Sequence, residues 1–192
     1  MNNKPILLLD LGGVVFTSSG STNSIIDWSI INELNEVYAH DLNLGKDVFL
    51  EFLNVYNQKM DLILDGYGFF DNLFTTISYN EKLVSFAQAH FRIFIVSDNY
   101  RENIQFINQK YGMESWAEKQ FYSFDLGSVK EEEIFFKKLK SELGIPLGQL
   151  VFVDDSPLKI FSAQKNGIKS ILHTENNNTI NQLERFLNGF TR

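Results

Sequence analysis

The sequence predicts a doubly wound α/β fold built around one parallel sheet. Short apolar runs that end in polar or acidic residues alternate with amphipathic helical patterns. The apolar runs have no polar face, which is typical of strands that are covered on both sides. The 192 residues, with 44% hydrophobic content, can bury one core that carries a modest insertion.

Five apolar runs are the predicted core strands. They are residues 6–10, 93–97, 150–154 and 170–173, with residues 120–124 as a weaker fifth candidate. Helical patterns at residues 101–111, 131–143 and 157–165 lie between or after them. This alternation of strand and helix favours parallel pairing.

The helix predicted at residues 131–143 has clear start and stop signals. Ser128 and Glu131 have the spacing of a capping box, which predicts Ser128 as the N-cap and places Lys130 in the first turn. Gly144, followed by a proline two residues later, ends the helix. The pair Ser156-Pro157 predicts the start of the next helix in the same way.

The stretch from about residue 22 to residue 80 breaks the strand and helix alternation. It is poor in strand patterns and has helical patterns at residues 25–38 and 46–64. Residues 16–21 and 79–80 are the predicted linkers, and the polar run 175–178 is a predicted loop. We therefore predict a core of residues 1–17 and 81–192 and a helical cap of residues 18–80.

Composition excludes several classes of function. The chain has 17 Lys and Arg against 24 Asp and Glu, a net charge of −7 that would repel a nucleic-acid backbone. Since there is no cysteine, oxygen or imidazole groups must hold any metal, and magnesium suits such ligands. The apolar stretch before Asp10 is too short to span a membrane, so a cytoplasmic location is the default expectation.

Polar residues at three strand ends are the candidate site. Ligands of open parallel sheets bind at the carboxyl ends of the strands, where the sequence places Asp10, Ser97, Asp154 and Asp155. Each residue alone has a structural explanation as a cap or a loop residue. Three carboxylates at one edge repel one another unless a cation neutralises them, which indicates a divalent metal. Lys130, a cation at the positive end of a helix, is poorly placed for stability and could reach the same edge.

Four segments resemble motifs of the haloacid dehalogenase (HAD) superfamily. LLLDLGGVVF is similar to the first motif, IVSDN to the second, Lys130 to the third and VFVDDSP to the fourth, in the order of that family. The resemblance spans nearly the whole chain and places the helical insertion where the family has its cap. It implies a Rossmann-like parallel sheet with strand order 5-4-1-2-3 and the α-helical cap after the first strand.

The resemblance also implies roles for individual residues. Asp10 would attack the phosphorus of a small phosphate ester and form an aspartyl-phosphate, which water then hydrolyses. Asp10, the backbone carbonyl of Gly12, Asp154 and Asp155 would hold Mg²⁺. Ser97 and Lys130 would bind the phosphoryl oxygens and Asn99 would help to bind the substrate, while the role of Asp98 stays open.

One departure from the family leaves alternatives open. Most HAD phosphatases have a second aspartate, the general acid, where this chain has Gly12. Sugar-1-phosphate phosphatases of the superfamily have a similar DLG sequence, which makes a sugar phosphate one candidate substrate. A binding or regulatory protein with little activity is the alternative. A 2-haloacid dehalogenase is a minor alternative, because between residues 16 and 80 only Lys46 and Lys59 are basic, against nine acidic residues. The oligomeric state is not predicted.

Overall fold

The computed structural model describes residues 4–190. In chain order the strands and α-helices are β1 (Ile6–Leu9), β2 (Phe16–Ser18), α1 (Trp28–Asn43), α2 (Phe49–Met60), α3 (Gly66–Leu73), β3 (Ile77–Tyr79), α4 (Glu81–His90), β4 (Arg92–Ser97), α5 (Arg101–Tyr111), β5 (Lys119–Tyr122), α6 (Ser123–Leu126), α7 (Glu133–Leu143), β6 (Leu150–Asp154), α8 (Pro157–Lys165), β7 (Lys169–Leu172) and α9 (Asn176–Phe190). Within these residues no helix is both long and apolar enough to cross a bilayer.

Five strands form the predicted parallel sheet. Their order is β5-β4-β1-β6-β7, and all four neighbouring pairs are parallel. Counted along the core strands alone, this is the predicted order 5-4-1-2-3. β6 has the predicted bounds, and the bounds of the other four strands differ from the prediction by one or two residues. The largest difference is in β5, which ends at Tyr122 because the next four residues form α6.

The strands are apolar on both faces because each face meets a separate hydrophobic cluster. Leu7 and Leu9 of β1 belong to the larger cluster, whereas Ile6 and Leu8 belong to the other. The larger cluster includes residues of α4, α5 and α9 and of the inserted helices, and the smaller one includes residues of α7 and α8. Side chains that alternate along a strand therefore all become buried.

A helical insertion follows β1, as predicted. It contains α1, α2 and also α3, which the sequence did not predict as a separate helix. The two predicted linkers are not simple loops, because β2 and β3 pair as an antiparallel ladder that sets Phe16 opposite Tyr79 and Ser18 opposite Ile77. The helices share one hydrophobic cluster with the sheet, so the insertion packs directly on the core.

The start of α7 corrects the predicted capping box. The helix begins at Glu133 with Glu132 as its N-cap residue, and the hydroxyl of Ser128 is buried without a hydrogen-bond partner. The backbone N–H of Lys130 instead donates to Asp98 Oδ1 at 3.0 Å, and that of Val129 donates to Glu132 Oε2 at 3.3 Å. These bonds hold a turn that delays the helix, so Lys130 lies before α7 and not in its first turn.

Two other local predictions need correction. Ser156 does precede α8, but its side chain makes no capping bond, and its N–H donates to Asp154 Oδ1 at 2.8 Å. The predicted loop at residues 175–178 is mostly helical, since α9 begins at Asn176. The side chain of Asn176 exchanges two hydrogen bonds with that of Asn80, at 2.7 and 2.9 Å, which ties the start of α9 to the start of α4.

Candidate functional site

Two neighbouring strands bring the predicted acidic residues together. Asp10 follows β1, which lies between β4 and β6, and Asp154 is the last residue of β6. Asp10 and Asp154 are buried, whereas Asp155 is exposed. One carboxylate oxygen of each of these three residues lies within 4.8 Å of those of the other two. The sheet topology therefore produces the cluster that the strand ends predicted.

Lys130 contacts two of these three carboxylates and has no exposed surface. Its ammonium is 2.7 Å from Asp10 Oδ1 and 2.6 Å from Asp154 Oδ2, and it donates to the Val96 carbonyl at 3.2 Å. A buried cation needs such partners, because an unpaired one would be strongly destabilising. The turn before α7 thus directs Lys130 at the strand edge.

The two buried carboxyls differ in pKa. Burial acts to raise the pKa of Asp10, but the charges of Lys130 and Lys159 outweigh it, and this pKa lies below its usual value. For Asp154, burial and the neighbouring charge of Asp10 prevail over both lysines and raise the pKa to about 6. Asp10 is therefore ionised at neutral pH, which an attacking carboxylate requires.

Lys159 is a second cation near the site, and it was not among the residues predicted from the sequence. It lies in the first turn of α8 and forms an ion pair with Asp98 Oδ2 at 3.1 Å. Burial would lower the pKa of Lys159, but the charges of Asp10, Asp98 and Asp154 raise it. A cation in a first helical turn is the same signal that singled out Lys130, so the sequence held the information to find it.

The geometry also answers where Asp98 points. Its two carboxylate oxygens bind the backbone N–H of Lys130 and the ammonium of Lys159. The side chain is almost fully buried, with 7% of its surface exposed. Asp98 is therefore neutralised by Lys159 and holds the turn that carries Lys130.

Ser97 and Asn99 lie beside the acidic cluster. Ser97 ends β4, and its buried hydroxyl donates weakly to the Asp98 carbonyl at 3.4 Å. The side-chain oxygen of Asn99 accepts from the backbone N–H of Tyr100 at 2.9 Å and from Asn103 Nδ2 at 2.8 Å. The loop after β4 thus places a hydroxyl and an amide beside the strand end.

The two glycines after Asp10 face different surroundings. A Cβ on Gly13 would lie 2.0 Å from Asp155 Oδ2, and Gly13 has a positive φ of 72°, so this position requires glycine. A Cβ on Gly12 would meet no atom within 4 Å. Gly12 therefore leaves open space where most HAD phosphatases carry an acid.

A cavity of about 460 Å³ adjoins the Gly12 backbone and extends toward the inserted helices. It is lined by Trp28, Leu73, Asn99 and Asn103, among others. The aromatic residues of the inserted helices mostly pack within the insertion, where Phe49, Phe52, Tyr56, Phe69 and Phe70 are nearly fully buried. Trp28 and Asn103 were not singled out, because only the tertiary structure brings them to the site.

The fold and the site define a doubly wound α/β protein with an acidic strand edge and a buried lysine in contact with two of its carboxylates. The chain belongs to the haloacid dehalogenase-like hydrolase family, whose model matches residues 34–173. The matched span contains Ser97, Lys130, Asp154 and Asp155, whereas Asp10 precedes it.

Three similar proteins illustrate this relationship. A predicted HAD-like family hydrolase from Porphyromonas gingivalis superposes with a TM-score of 0.72 at 21% identity, over 96% of this chain and 98% of that one. A HAD family enzyme from Bacteroides thetaiotaomicron, in complex with magnesium and inorganic phosphate, gives 0.70 at 19% identity, over 89% and 94%. An uncharacterised Dictyostelium discoideum protein is 29% identical over 164 residues, which cover 72% of this chain and 66% of that protein's length.

Proposed function

We propose that this chain is a magnesium-dependent phosphatase that hydrolyses a small phosphate monoester through an aspartyl-phosphate on Asp10. The observation that carries the proposal is the ionised, buried carboxylate of Asp10, held 2.7 Å from the ammonium of Lys130 at a strand edge with two further aspartates. The family membership and the magnesium and phosphate bound by the Bacteroides enzyme support it.

The donor set fits a magnesium ion. The three clustered groups are all carboxylates, and Mg²⁺ prefers hard oxygen ligands of this kind. Asp10, Asp154 and Asp155 would hold the ion together with the backbone carbonyl of Gly12. When bound, magnesium would neutralise charge that develops on the phosphoryl oxygens.

In the first step a carboxylate oxygen of Asp10 attacks the phosphorus, and the bond from phosphorus to the ester oxygen breaks. The alcohol leaves with the bonding electrons and takes up a proton. Ser97 donates a hydrogen bond to a phosphoryl oxygen, and Asn99 helps to position the substrate. Lys130 offsets the charge of the phosphoryl group and of Asp10.

In the second step water attacks the phosphorus of the aspartyl-phosphate, releases inorganic phosphate and regenerates Asp10. With glycine at position 12, the carboxylate that serves as acid and then as base in most HAD phosphatases is missing. General acid–base catalysis is typically worth about 10²–10⁴-fold, so substrates with good leaving groups suffer least. The enzyme is therefore expected to favour such substrates or to use an acid that the substrate itself carries.

The proposal is tested by hydrolysis of acetyl phosphate and p-nitrophenyl phosphate with Mg²⁺ or with EDTA. Hydrolysis by the wild type should need Mg²⁺. The rate should fall by at least about 10³-fold in Asp10→Asn, because the nucleophile is lost. Asp61→Asn, the same change at an exposed aspartate of the insertion, is the matched control and should keep full activity. Equal rates for wild type and Asp10→Asn would refute the proposal.

Gly12 favours a second candidate, a HAD-fold protein that binds a phosphorylated ligand and turns it over little or not at all. A folded wild type that binds Mg²⁺ but hydrolyses neither ester would support that role. The dehalogenase alternative has less support, because the two lysines of the insertion are engaged at the surface. Lys46 pairs with Asp41 at 2.8 Å and Lys59 pairs with Glu33 at 3.0 Å.

A further inference from the structure

Lys159 and Asp98 form a partly buried ion pair beside the candidate site. The ammonium of Lys159 is 3.1 Å from Asp98 Oδ2, and the two side chains keep 20% and 7% of their surface exposed. Among the residues that the structure describes, no other side-chain cation pairs with Asp98. Solvent and salt screen such a pair only weakly, so the loss of one partner leaves a charge that acts on its neighbours.

Asp98 is connected to two groups of the proposed phosphate site. It directly follows Ser97, whose hydroxyl binds a phosphoryl oxygen in the proposed mechanism, and its Oδ1 accepts from the backbone N–H of Lys130 at 3.0 Å. The carboxylate thus holds the turn from which the ammonium of Lys130 reaches Asp10. An uncompensated negative charge at the same place would repel a phosphate that is bound at Ser97. The carboxylate of Asp98 therefore needs a cation beside it.

Lys130 does not supply this cation. Its ammonium is bound to Asp10 at 2.7 Å and to Asp154 at 2.6 Å, and its bond to Asp98 comes from the backbone N–H. Lys159 is the available charge. Burial acts to lower the pKa of its ammonium, but the neighbouring carboxylates, with the charge of Asp10 first, outweigh burial and raise this pKa. Lys159 is therefore positively charged at neutral pH.

We propose that Lys159 is a positioning residue of the phosphate site: by neutralising Asp98, it allows that carboxylate to hold the turn of Lys130 without repelling the bound phosphoryl group. Lys159 acts through Asp98 and needs no contact with the substrate. Its place in the first turn of α8, at the positive end of the helix, is unfavourable for a lysine, and the carboxylates that it faces account for it. This inference rests on the proposed function, because it assumes that a phosphoryl group binds at Asp10.

The test measures the Kd of inorganic phosphate by calorimetry at saturating Mg²⁺, together with kcat and KM for acetyl phosphate. Lys159→Met leaves Asp98 charged and unpaired, so this Kd should rise by at least about tenfold. Lys159→Arg keeps the charge and should stay within about threefold of the wild type. Lys165→Met is the matched control and should keep the wild-type Kd, because it removes an exposed lysine of the same helix whose ammonium lies over the Phe161 ring.

A second change, at Asp98, shows whether Lys159 acts through this residue. The double variant Asp98→Asn, Lys159→Met has neither charge but keeps a side-chain oxygen for the N–H of Lys130. Its Kd for phosphate should return to within about threefold of the wild-type value. The double variant Asp98→Leu, Lys159→Met also lacks both charges, but it has no acceptor for that N–H. Its kcat for acetyl phosphate should be at least about tenfold below that of the Asn double variant, because the turn no longer holds Lys130.

Asp98→Asn alone covers the case in which Lys159→Met does not fold. It leaves no carboxylate without a partner and keeps the acceptor for the N–H of Lys130. Because it removes a negative charge beside the phosphate, its Kd should equal that of the wild type or lie below it. Weaker phosphate binding in this variant would contradict the proposal.

Calorimetry distinguishes a failure of this proposal from a failure of the proposed function. The proposal is wrong if Lys159→Met binds phosphate as tightly as the wild type, or if Asp98→Asn does not restore binding to it. Hydrolysis of acetyl phosphate through Asp10 would in that case still establish the phosphatase. If the wild type hydrolyses no acetyl phosphate but the Kd values follow the predicted pattern, the phosphatase function fails and the role of Lys159 in phosphate binding stands. If the wild type binds no phosphate, both fail.

Discussion

Replacing Gly12 with aspartate should raise the rate on esters with poor leaving groups. A Cβ at this position meets no atom within 4 Å, and Gly12 is not among the glycines with positive φ. The aspartate therefore fits without steric or backbone strain, and its carboxyl would extend from the loop beside the cavity. Once protonated, it can transfer its proton to the departing alcohol.

The expected gain follows from the chemistry and from the charge already present. General acid catalysis contributes about 10²–10⁴-fold. Three carboxylates already lie within 4.8 Å of one another, and a fourth adds repulsion that Lys130, Lys159 and Mg²⁺ offset only in part. We therefore expect the low end, about 10²-fold or about 2.7 kcal/mol of transition-state stabilisation. Acetyl phosphate, whose leaving group needs no proton, should change by less than about threefold.

The assay is kcat/KM for an alkyl phosphate and for acetyl phosphate, measured with Mg²⁺ for wild type and variant. Gly12→Asn has nearly the same shape but no acidic proton, so it should show no selective gain. Gly13→Asp should be inactive or unfolded, since its Cβ would lie 2.0 Å from Asp155 Oδ2. A gain of equal size on both substrates, or the same gain in Gly12→Asn, would refute the acid–base reasoning.

Three further predictions concern stability. Lys130→Met leaves Asp10 and Asp154 without their buried cation and should cost about 3–5 kcal/mol in urea unfolding without metal; added Mg²⁺ should recover part of this loss, and wild-type stability in EDTA would contradict the prediction. Phe136→Ala removes a fully buried ring whose centroid lies 5.4 Å from that of Phe152. This change should lower the free energy of unfolding by about 3–5 kcal/mol in the same urea experiment. A loss below about 1 kcal/mol would contradict close packing at this position. Burial lowers the pKa of His173, although the charge of Asp155 opposes the shift. As the pH falls, the imidazole is therefore protonated more readily in the unfolded chain than in the folded one. The free energy of unfolding should consequently decrease as the pH drops below about 6.5. In EDTA, the free energy of unfolding of His173→Gln should fall less steeply with decreasing pH than that of the wild type. The raised pKa of Asp154 has the opposite effect on stability, but it does so in both proteins. Identical slopes of stability against pH would therefore show that His173 does not cause the fall.

The sequence predicted the sheet and the acidic cluster for one physical reason. Strands that are buried on both faces leave a recognisable apolar run, and parallel strands bring their carboxyl ends to one edge. The sequence pattern alone therefore predicts that Asp10, Asp154 and Asp155 lie close together. The turn before α7 was predicted less well, because Asp98, which binds the backbone of Lys130, is 32 residues away in sequence.

Contacts between distant segments account for the rest of what was missed. Trp28 and Asn103 are unremarkable in a helical pattern, and only the packing of α1 and α5 around the strand ends gives them a cavity. The start of α9 depends on a pair of hydrogen bonds with Asn80, 96 residues away. Lys159 differs from these, since its place at a helix start was visible in the sequence and was overlooked.

The ladder between β2 and β3 has a consequence for how such a protein can diversify. It pairs the two chain ends of the insertion residue by residue, from Phe16 with Tyr79 to Ser18 with Ile77. Paired strands lie only about 5 Å apart, so the two connections between the core and the insertion are held close together in a fixed geometry. An insertion of another length or fold can replace this one between β2 and β3 without changing the strand edge that carries Asp10, Asp154 and Asp155. Exchange of the insertion alone can then change the range of substrates, while the three carboxylates of the sheet edge stay as they are.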